Sequence, residues 1–425
     1  MSKLKFLAFV SMIVLASCYS SRTARDKERS YTKPYHREDN ELTLNMFLHH
    51  SAKDVSFLYY KIDNSQLIYK KSDTNTFFSA RLKFHYKLLP YPEAKQVIDS
   101  ATVYVEDKST GQAAAKNLLG YIQLPVKEGQ FSYLEVNVED IFSKKYHTRY
   151  IQCDKRNAFS QQNYIVENAA KEILFTNKIS KGTTVTVSNN RVGFVNARVD
   201  FYKVDYSLPP PPFSDREPLL YPSIPDSSFN IPAVNDHSFS LKVSKQGIYY
   251  VRLDSVNSGA CMLLGVESNF PKVQSHAQMI AASRFIMNKE EYQKLTDATD
   301  KQSAIEAFWL SLAGNNDRAK ELIKRYYNRV QDANTFFTSH VEGWKTDMGM
   351  IYIIFGTPGK TYKTENMETW EYYIQNGAPP LTFRFEKIRN PFTENCYKLQ
   401  RSINYKDPWT LAVSYWREGR VYLED

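Results

Sequence analysis

The sequence predicts a multidomain protein: two mainly antiparallel β-sandwich domains followed by an α+β domain whose helices pack on a small antiparallel meander. Three observations carry that prediction. From Leu42 onward, short runs alternate apolar and polar side chains with period two, as half-buried strands require. A proline-rich stretch between Leu208 and Ala233 interrupts the second series of such runs. Past Pro271 the apolar spacing changes to that of helices. With 42% hydrophobic and 14% aromatic residues, a chain of 425 has enough apolar surface to fill two or three domain cores.

The amino terminus has the order of a secretory signal: Lys3 and Lys5, a short apolar core from Leu7 to Ala16, then small residues. The core is about half the roughly 20 residues that cross a bilayer. Leu15-Ala16-Ser17-Cys18 resembles the bacterial lipobox, which implies cleavage after residue 17 and a diacylglycerol on the Cys18 sulfur. Two or three acyl chains, at about 0.8 kcal/mol per buried methylene, make a firm anchor. Tyr19 stands where the resembling inner-membrane retention signal has Asp, and Ser20 to Thr23 lack the acids of surface-export signals. The expectation is an outer-membrane anchor with the protein facing the periplasm. Residues 18–40, polar and without apolar period, are expected to form a flexible tether.

Within 41–170, Leu42-Leu44-Met46-Leu48, Val55-Phe57-Tyr59, Ala80-Leu82-Phe84-Tyr86, Ala101-Val103-Val105 and Leu134-Val136-Val138 read as strands of the first sandwich. Residues 171–270 repeat the pattern in Thr183-Val185-Val187, Val192-Phe194, Ala197-Val199-Phe201, Phe239-Leu241-Val243 and Ile248-Tyr250-Arg252. The insertion 208–233 opens with Pro209 to Pro212, which hold an extended polyproline conformation and donate no ladder bonds. It reads as an exposed, stiff connector.

In 271–425 a capping pair, Asn288 and Glu291, starts one helix. A second runs from Lys301 with Ile305, Phe308, Trp309 and Leu312 on one face and stops at Gly314. A third starts near Asp317 and aligns Ala319, Leu322, Ile323, Tyr326 and Val330. Met350 to Phe355 is a continuous apolar run, read as a strand, and Gly356-Thr357-Pro358-Gly359 is a turn. Thr369 to Tyr373, Leu381 to Phe385 and Tyr397 to Leu399 complete the meander.

Gly343-Trp344-Lys345-Thr346-Asp347, with Gly349, Gly356 and Pro358 after it, resembles the GWxTD domain of bacterial envelope proteins, found especially in Bacteroidetes-type lineages. Glu290-Glu291-Tyr292, Phe308-Trp309, Tyr326 to Val330, Ala333-Asn334, and Glu368-Thr369-Trp370 extend the likeness over roughly 275 to 390. Gly359 is followed by Lys360 where the family often has an acid. The resemblance implies a compartment and a lipoprotein, but no activity. A weaker likeness, in the Gly-x-Pro turn and the strands after it, is to the small lipoproteins that assist outer-membrane β-barrel assembly. Those proteins place a helix before the turn, where a strand is expected here.

Each motif residue has a structural role available. Gly343 and Gly349 permit positive φ, Trp344 plugs a helix–sheet seam, and Thr346 and Asp347 accept backbone N–H bonds. The competing reading pairs Asp347 with Glu368 or Glu371 as the acid and base of an envelope hydrolase acting on glycan or peptide.

Other chemistry is not indicated. Gly356 to Thr361 evokes a phosphate loop, but Ile354 stands where that loop has its first glycine, and no helix follows, so no nucleotide is expected. The eight histidines are scattered without metal-ligand spacing, and there is no Gly-x-Ser-x-Gly elbow. Cys153, Cys261 and Cys396 read as buried or paired thiols rather than nucleophiles. The net charge of +9 is spread without a dense basic block, which gives no sign of a nucleic-acid partner. No catalytic residue, metal or cofactor is assigned. The expected function is that of a non-enzymatic binding or scaffolding component, held to the membrane by the Cys18 lipid, with another envelope protein or a glycan as partner.

Overall fold

The computed structural model describes residues 29–31, 35, 41–71, 76–91, 94–111, 115–204, 208–218, 221–253, 259–364, 366–373 and 379–422. The leader 1–17 and Cys18 lie outside the described residues. The first strand, β1 (Arg29–Tyr31), joins the C-terminal sheet.

Alternation builds the first sandwich from β2 (Leu44–Ala52), β3 (Val55–Asp63), β4 (Lys70–Lys71), β5 (Phe78–Leu89), β6 (Asp99–Ser109), β7 (Asn117–Leu124), β8 (Phe131–Asp140) and β9 (Tyr146–Asp154). One sheet runs β2-β3-β7, the other β4-β5-β8-β9 with β6 on the free side of β5. Leu44, Met46, Leu58, Tyr60, Phe84, Tyr86, Val136 and Val138 share one core between them. These are the alternate residues that a period of two sends to one face, and a one-residue slip would turn them all to solvent.

His49 and His50, both buried, lie on opposite faces near the end of β2 and close to Lys155, whose ammonium donates to the Val126 carbonyl (2.8 Å) and Ser56 Oγ (3.0 Å). Burial, and for both rings the Lys155 charge, push His49 and His50 from 6.5 down to about 4. Burial pushes His340 of the C-terminal domain equally far. The unfolded rings bind a proton near pH 6.5 and the folded rings only near 4, so the unfolded state holds more protons between those values. The contribution of these three rings to stability is therefore expected to be full above pH 6.5, to be lost as pH drops through that window, by on the order of 3 kcal/mol per ring, and to be spent below 4. Urea-melt midpoints at pH 7, 5.5 and 4 measure it, and flat midpoints would refute it.

The second sandwich comprises β10 (Ile165–Glu167), β11 (Lys178–Ser180), β12 (Thr184–Ser188), β13 (Asn196–Tyr202), β14 (Ser227–Pro232), β15 (Ser238–Lys242), β16 (Gly247–Arg252) and β17 (Cys261–Val266). Its sheets run β10-β12-β15 and β11-β17-β16-β13-β14, with β11 and β17 parallel and the other pairs antiparallel. Val192 to Phe194, expected as a strand, is irregular. Every residue of β17 is buried, because the outer face of this sheet is covered too: Tyr202, Ile248, Met262 and Leu264 pack with Phe392 of the C-terminal domain.

The C-terminal domain holds α1 (His276–Ala282), α2 (Lys289–Asp297), α3 (Lys301–Ala313), α4 (Asn316–Phe337), α5 (Asp347–Phe355) and α6 (Lys406–Arg417) around β18 (Lys360–Lys363), β19 (Met367–Tyr372), β20 (Leu381–Lys387) and β21 (Tyr397–Leu399). The sheet order is β1-β18-β19-β20-β21, antiparallel throughout. Asn288 and Glu291 form the expected reciprocal capping box of α2, and α3 stops at Gly314. Met350 to Phe355, expected as a strand, is helix α5. All nine of its residues are buried, so no polar face exists to mark a helical period.

The proline insertion is exposed over much of its length, as expected, but its first part is docked and Ser227–Pro232 forms the edge strand β14. Pro209 and Pro212 are buried, the Pro210 carbonyl accepts from Arg401 Nη2 (3.1 Å), the Pro212 carbonyl accepts from the Ser402 N–H (3.1 Å), and Glu217 pairs with Lys398 (3.3 Å). Cys153, Cys261 and Cys396 are free, buried thiols, and burial pushes Cys153 and Cys261 up to about 12. No described helix is long and apolar enough to cross a membrane.

Candidate functional site

The motif is a helix start wedged against another helix. Gly343 to Lys345 make one 3-10 turn, and Thr346, extended at φ −97° and ψ 161°, caps α5 by accepting the Gly349 N–H at 3.0 Å. Its hydroxyl also donates to the Gly343 carbonyl at 2.7 Å, which locks the turn to the helix. From α4, Asn334 Oδ1 accepts the Trp344 N–H (3.2 Å) and Thr338 Oγ1 accepts the Gly343 N–H (3.0 Å). Gly343 and Gly349 do not adopt positive φ. They are glycine because backbone meets backbone: a Cβ on Gly343 would overlap the Ala333 carbonyl, 2.5 Å from its carbon, and one on Gly349 would overlap the Gly343 carbonyl, 2.8 Å from its carbon. Gly356 does take positive φ, 80°, where α5 ends, and Pro358 is buried just beyond it. The Tyr372 hydroxyl donates to the Gly356 carbonyl at 2.9 Å and holds that turn.

Asp347 is spent inside the fold. Its Oδ1 takes Arg401 Nη2 at 2.5 Å, and its Oδ2 takes Arg401 Nη1 at 3.1 Å and the Leu399 N–H at 2.9 Å. Its side chain is 2% exposed and that of Arg401 6%. Burial holds the carboxyl above its usual range, outweighing the opposing pull of Arg401 and the Leu399 N–H. The space beside it, lined by His340, Lys345 and Cys396 among others, measures about 50 Å³. That holds a water or two, far below the roughly 300 Å³ at which ligand pockets begin.

The structure does not bring Asp347 together with the other two candidate carboxylates. Glu368, buried on β19, accepts the Trp370 indole N–H at 2.8 Å and lies 3.3 Å from Lys363. Glu371 is three residues along the same strand, hence on the opposite face, where the Tyr373 hydroxyl donates to it at 2.6 Å.

Glu368 has a further partner that sequence reasoning missed. The Tyr35 hydroxyl donates to its Oε1, and the Tyr35 ring sits among Phe337 (4.8 Å), Trp370 (5.3 Å) and Phe336 (5.5 Å). Tyr352 donates to the Tyr35 carbonyl at 3.0 Å, and β1 just upstream pairs with β18. Burial first, and Glu368 second, hold the phenol well above its usual range. Part of the segment expected as a flexible tether is thus seated in the C-terminal domain. An aromatic in a polar stretch was the only sequence signal, and its partner lies 333 positions away.

Tyr35→Ala is expected to release this segment while the domain stays folded. Trypsin should then cut between residues 29 and 41 at least about tenfold faster, since 1.4 kcal/mol of lost docking energy suffices for that factor. An unchanged rate would show that Tyr35 does not hold the segment.

Among the described residues no group of three or more His, Cys, Asp or Glu is placed to hold a metal ion. The model of the GWxTD domain family matches residues 247–418, starting at β16 and thus upstream of the expected boundary at 271. No curated protein matches the chain.

Proposed function

Because the chain carries a GWxTD domain at residues 247–418, we propose that the domain binds rather than catalyses, as part of a non-enzymatic scaffold of the bacterial cell envelope. The observation that carries this reading is the commitment of Asp347: a carboxylate that accepts three hydrogen bonds, two of them from Arg401, and borders only about 50 Å³ of space has no room beside it for a substrate. Glu368 is likewise engaged with Tyr35, Trp370 and Lys363.

In this reading Cys18 bears the lipid, and the protein hangs from the outer membrane into the periplasm. Residues 19–29 then span at most roughly 40 Å to the point where β1 joins the C-terminal sheet. The GWxTD domain therefore works near the bilayer. With α5 helical, the order of helix, Gly-x-Pro turn and antiparallel strands removes the difference noted above from the small lipoproteins that assist β-barrel assembly, and supports a role in outer-membrane assembly or secretion. The partner is another envelope protein or a glycan.

Affinity recovery of the lipidated protein after crosslinking in intact cells tests it, with Cys18→Ala as control. The expected result is a defined envelope partner that is lost when the anchor is removed. Recovery of the protein alone, or of the same set with Cys18→Ala, would remove the basis of the proposal.

A further inference from the structure

A much larger cleft, about 920 Å³, lies between the proline segment and the helices, with Met350 next to the motif's Gly349 on its wall. Its existence follows from the rigidity of the segment. Polyproline is stiff, and the segment is fastened by Arg401 and Ser402 to the carbonyls of Pro210 and Pro212, and by Lys398 to Glu217. The opposite wall and floor come from the 3-10 turn after α1 (Ser283–Ile286), the start of α2, α5 and α6. Ile286, Met287, Met350 and Trp409 line it, each under 10% exposed, with Phe285 and Val413 alongside.

The charges at this cleft are unequal. Arg216, Glu217, Arg284 and Arg417 line it. Glu217 is paired with Lys398, and Arg417 makes two 2.8 Å bonds to Glu291, so both are neutralised. Arg284 donates to the Met287 carbonyl at 2.6 Å and lies over the Tyr292 ring, but among the described residues it meets no carboxylate. Nor does Arg216, which is exposed in the proline segment. Two guanidinium groups thus stand uncompensated around an apolar trough whose size is that of a small-molecule site. Guanidinium forks match carboxylate or phosphate oxygens, and the trough takes methylene groups out of water.

We propose that this cleft binds a single-chain amphiphile with an anionic head, the chain lying along Ile286, Met287, Met350 and Trp409 and the head between Arg284 and Arg216. The proposal does not depend on the scaffold reading, since a binding protein with or without envelope partners uses the same cleft. A carboxylate and a phosphate monoester share the required chemistry.

Equilibrium dialysis of the full chain against labelled palmitate, hexadecyl phosphate and hexadecyltrimethylammonium, each below its micellar concentration, tests it. One saturable site for at least one anion is expected, with the cation at least about tenfold weaker. Which anion binds names the head group. Arg284→Glu combined with Arg216→Glu should weaken anion binding about ten- to a hundredfold, the factor that charged hydrogen bonds of this kind supply. Val413→Trp should fill the trough and abolish uptake; if that variant fails to fold, the charge-reversal pair still decides. No saturable uptake, equal uptake of the cation, or binding indifferent to both arginines would overturn the proposal.

Discussion

Gly343→Ala is expected to destabilise the C-terminal domain by about 3 kcal/mol or more, read as a large fall in its urea midpoint or as loss of soluble protein. The added methyl would overlap the Ala333 carbonyl and stand 2.9 Å from Asn334 Cα. Neither is the end of a flexible side chain. Both belong to the backbone of α4, where Ala333 and Val330 are fully buried in the domain core, so the two helices must separate. Gly349→Ala should behave alike, because its methyl would meet the Gly343 carbonyl and lie 3.1 Å from Trp344 Cα. Gly111→Ala is the matched control: nothing lies within 4 Å of a Cβ there, and a change within about 0.5 kcal/mol is expected. Equal midpoints for the variants at 343 and 111 would show that the close approach does not hold.

Asp347→Asn is the second large effect, and it separates the two functional readings. The amide keeps the shape but removes the charge that faces Arg401, whose side chain is 6% exposed. Breaking a buried ion pair from one side costs about 3–5 kcal/mol, because the remaining charge has lost its compensation. A large loss of stability is therefore expected. Joining Asp347→Asn to Arg401→Met should recover part of it, since no buried charge is then left unpaired. A hydrolase with Asp347 at its centre behaves oppositely: turnover on glycan or peptide substrates disappears while the melting curve stays in place. Melting curves run beside hydrolysis assays give the answer.

How much of this was legible depended on the range of the interaction. The strands of the first sandwich were readable because burial on one face alone imposes alternation, as in Leu82, Phe84 and Tyr86 of β5. The α2 capping box was readable because its two residues are three apart. Helix α5 was not. Buried on every side, Met350-Ile351-Tyr352-Ile353-Ile354-Phe355 shows the same apolar run a central strand would. The correct signal was Thr346 as an N-cap with Asp347 in the first turn, which the strand reading passed over. The motif glycines were recognised as structural, but for conformational freedom rather than for the contact that requires them.

By itself, then, the sequence determined the periodic elements, their caps and the order of β, β and α+β domains, since each of these is set by residues within a few positions of one another. The tertiary structure alone decided that Asp347 meets Arg401, that Glu368 meets Tyr35, and that a fastened proline segment leaves a cationic trough beside Trp409. Those pairings join residues 54 and 333 positions apart in the first two cases. No local pattern encodes them, because what selects each partner is the packing of whole domains: a buried charge settles on whichever opposite charge or donor the assembled core leaves within reach.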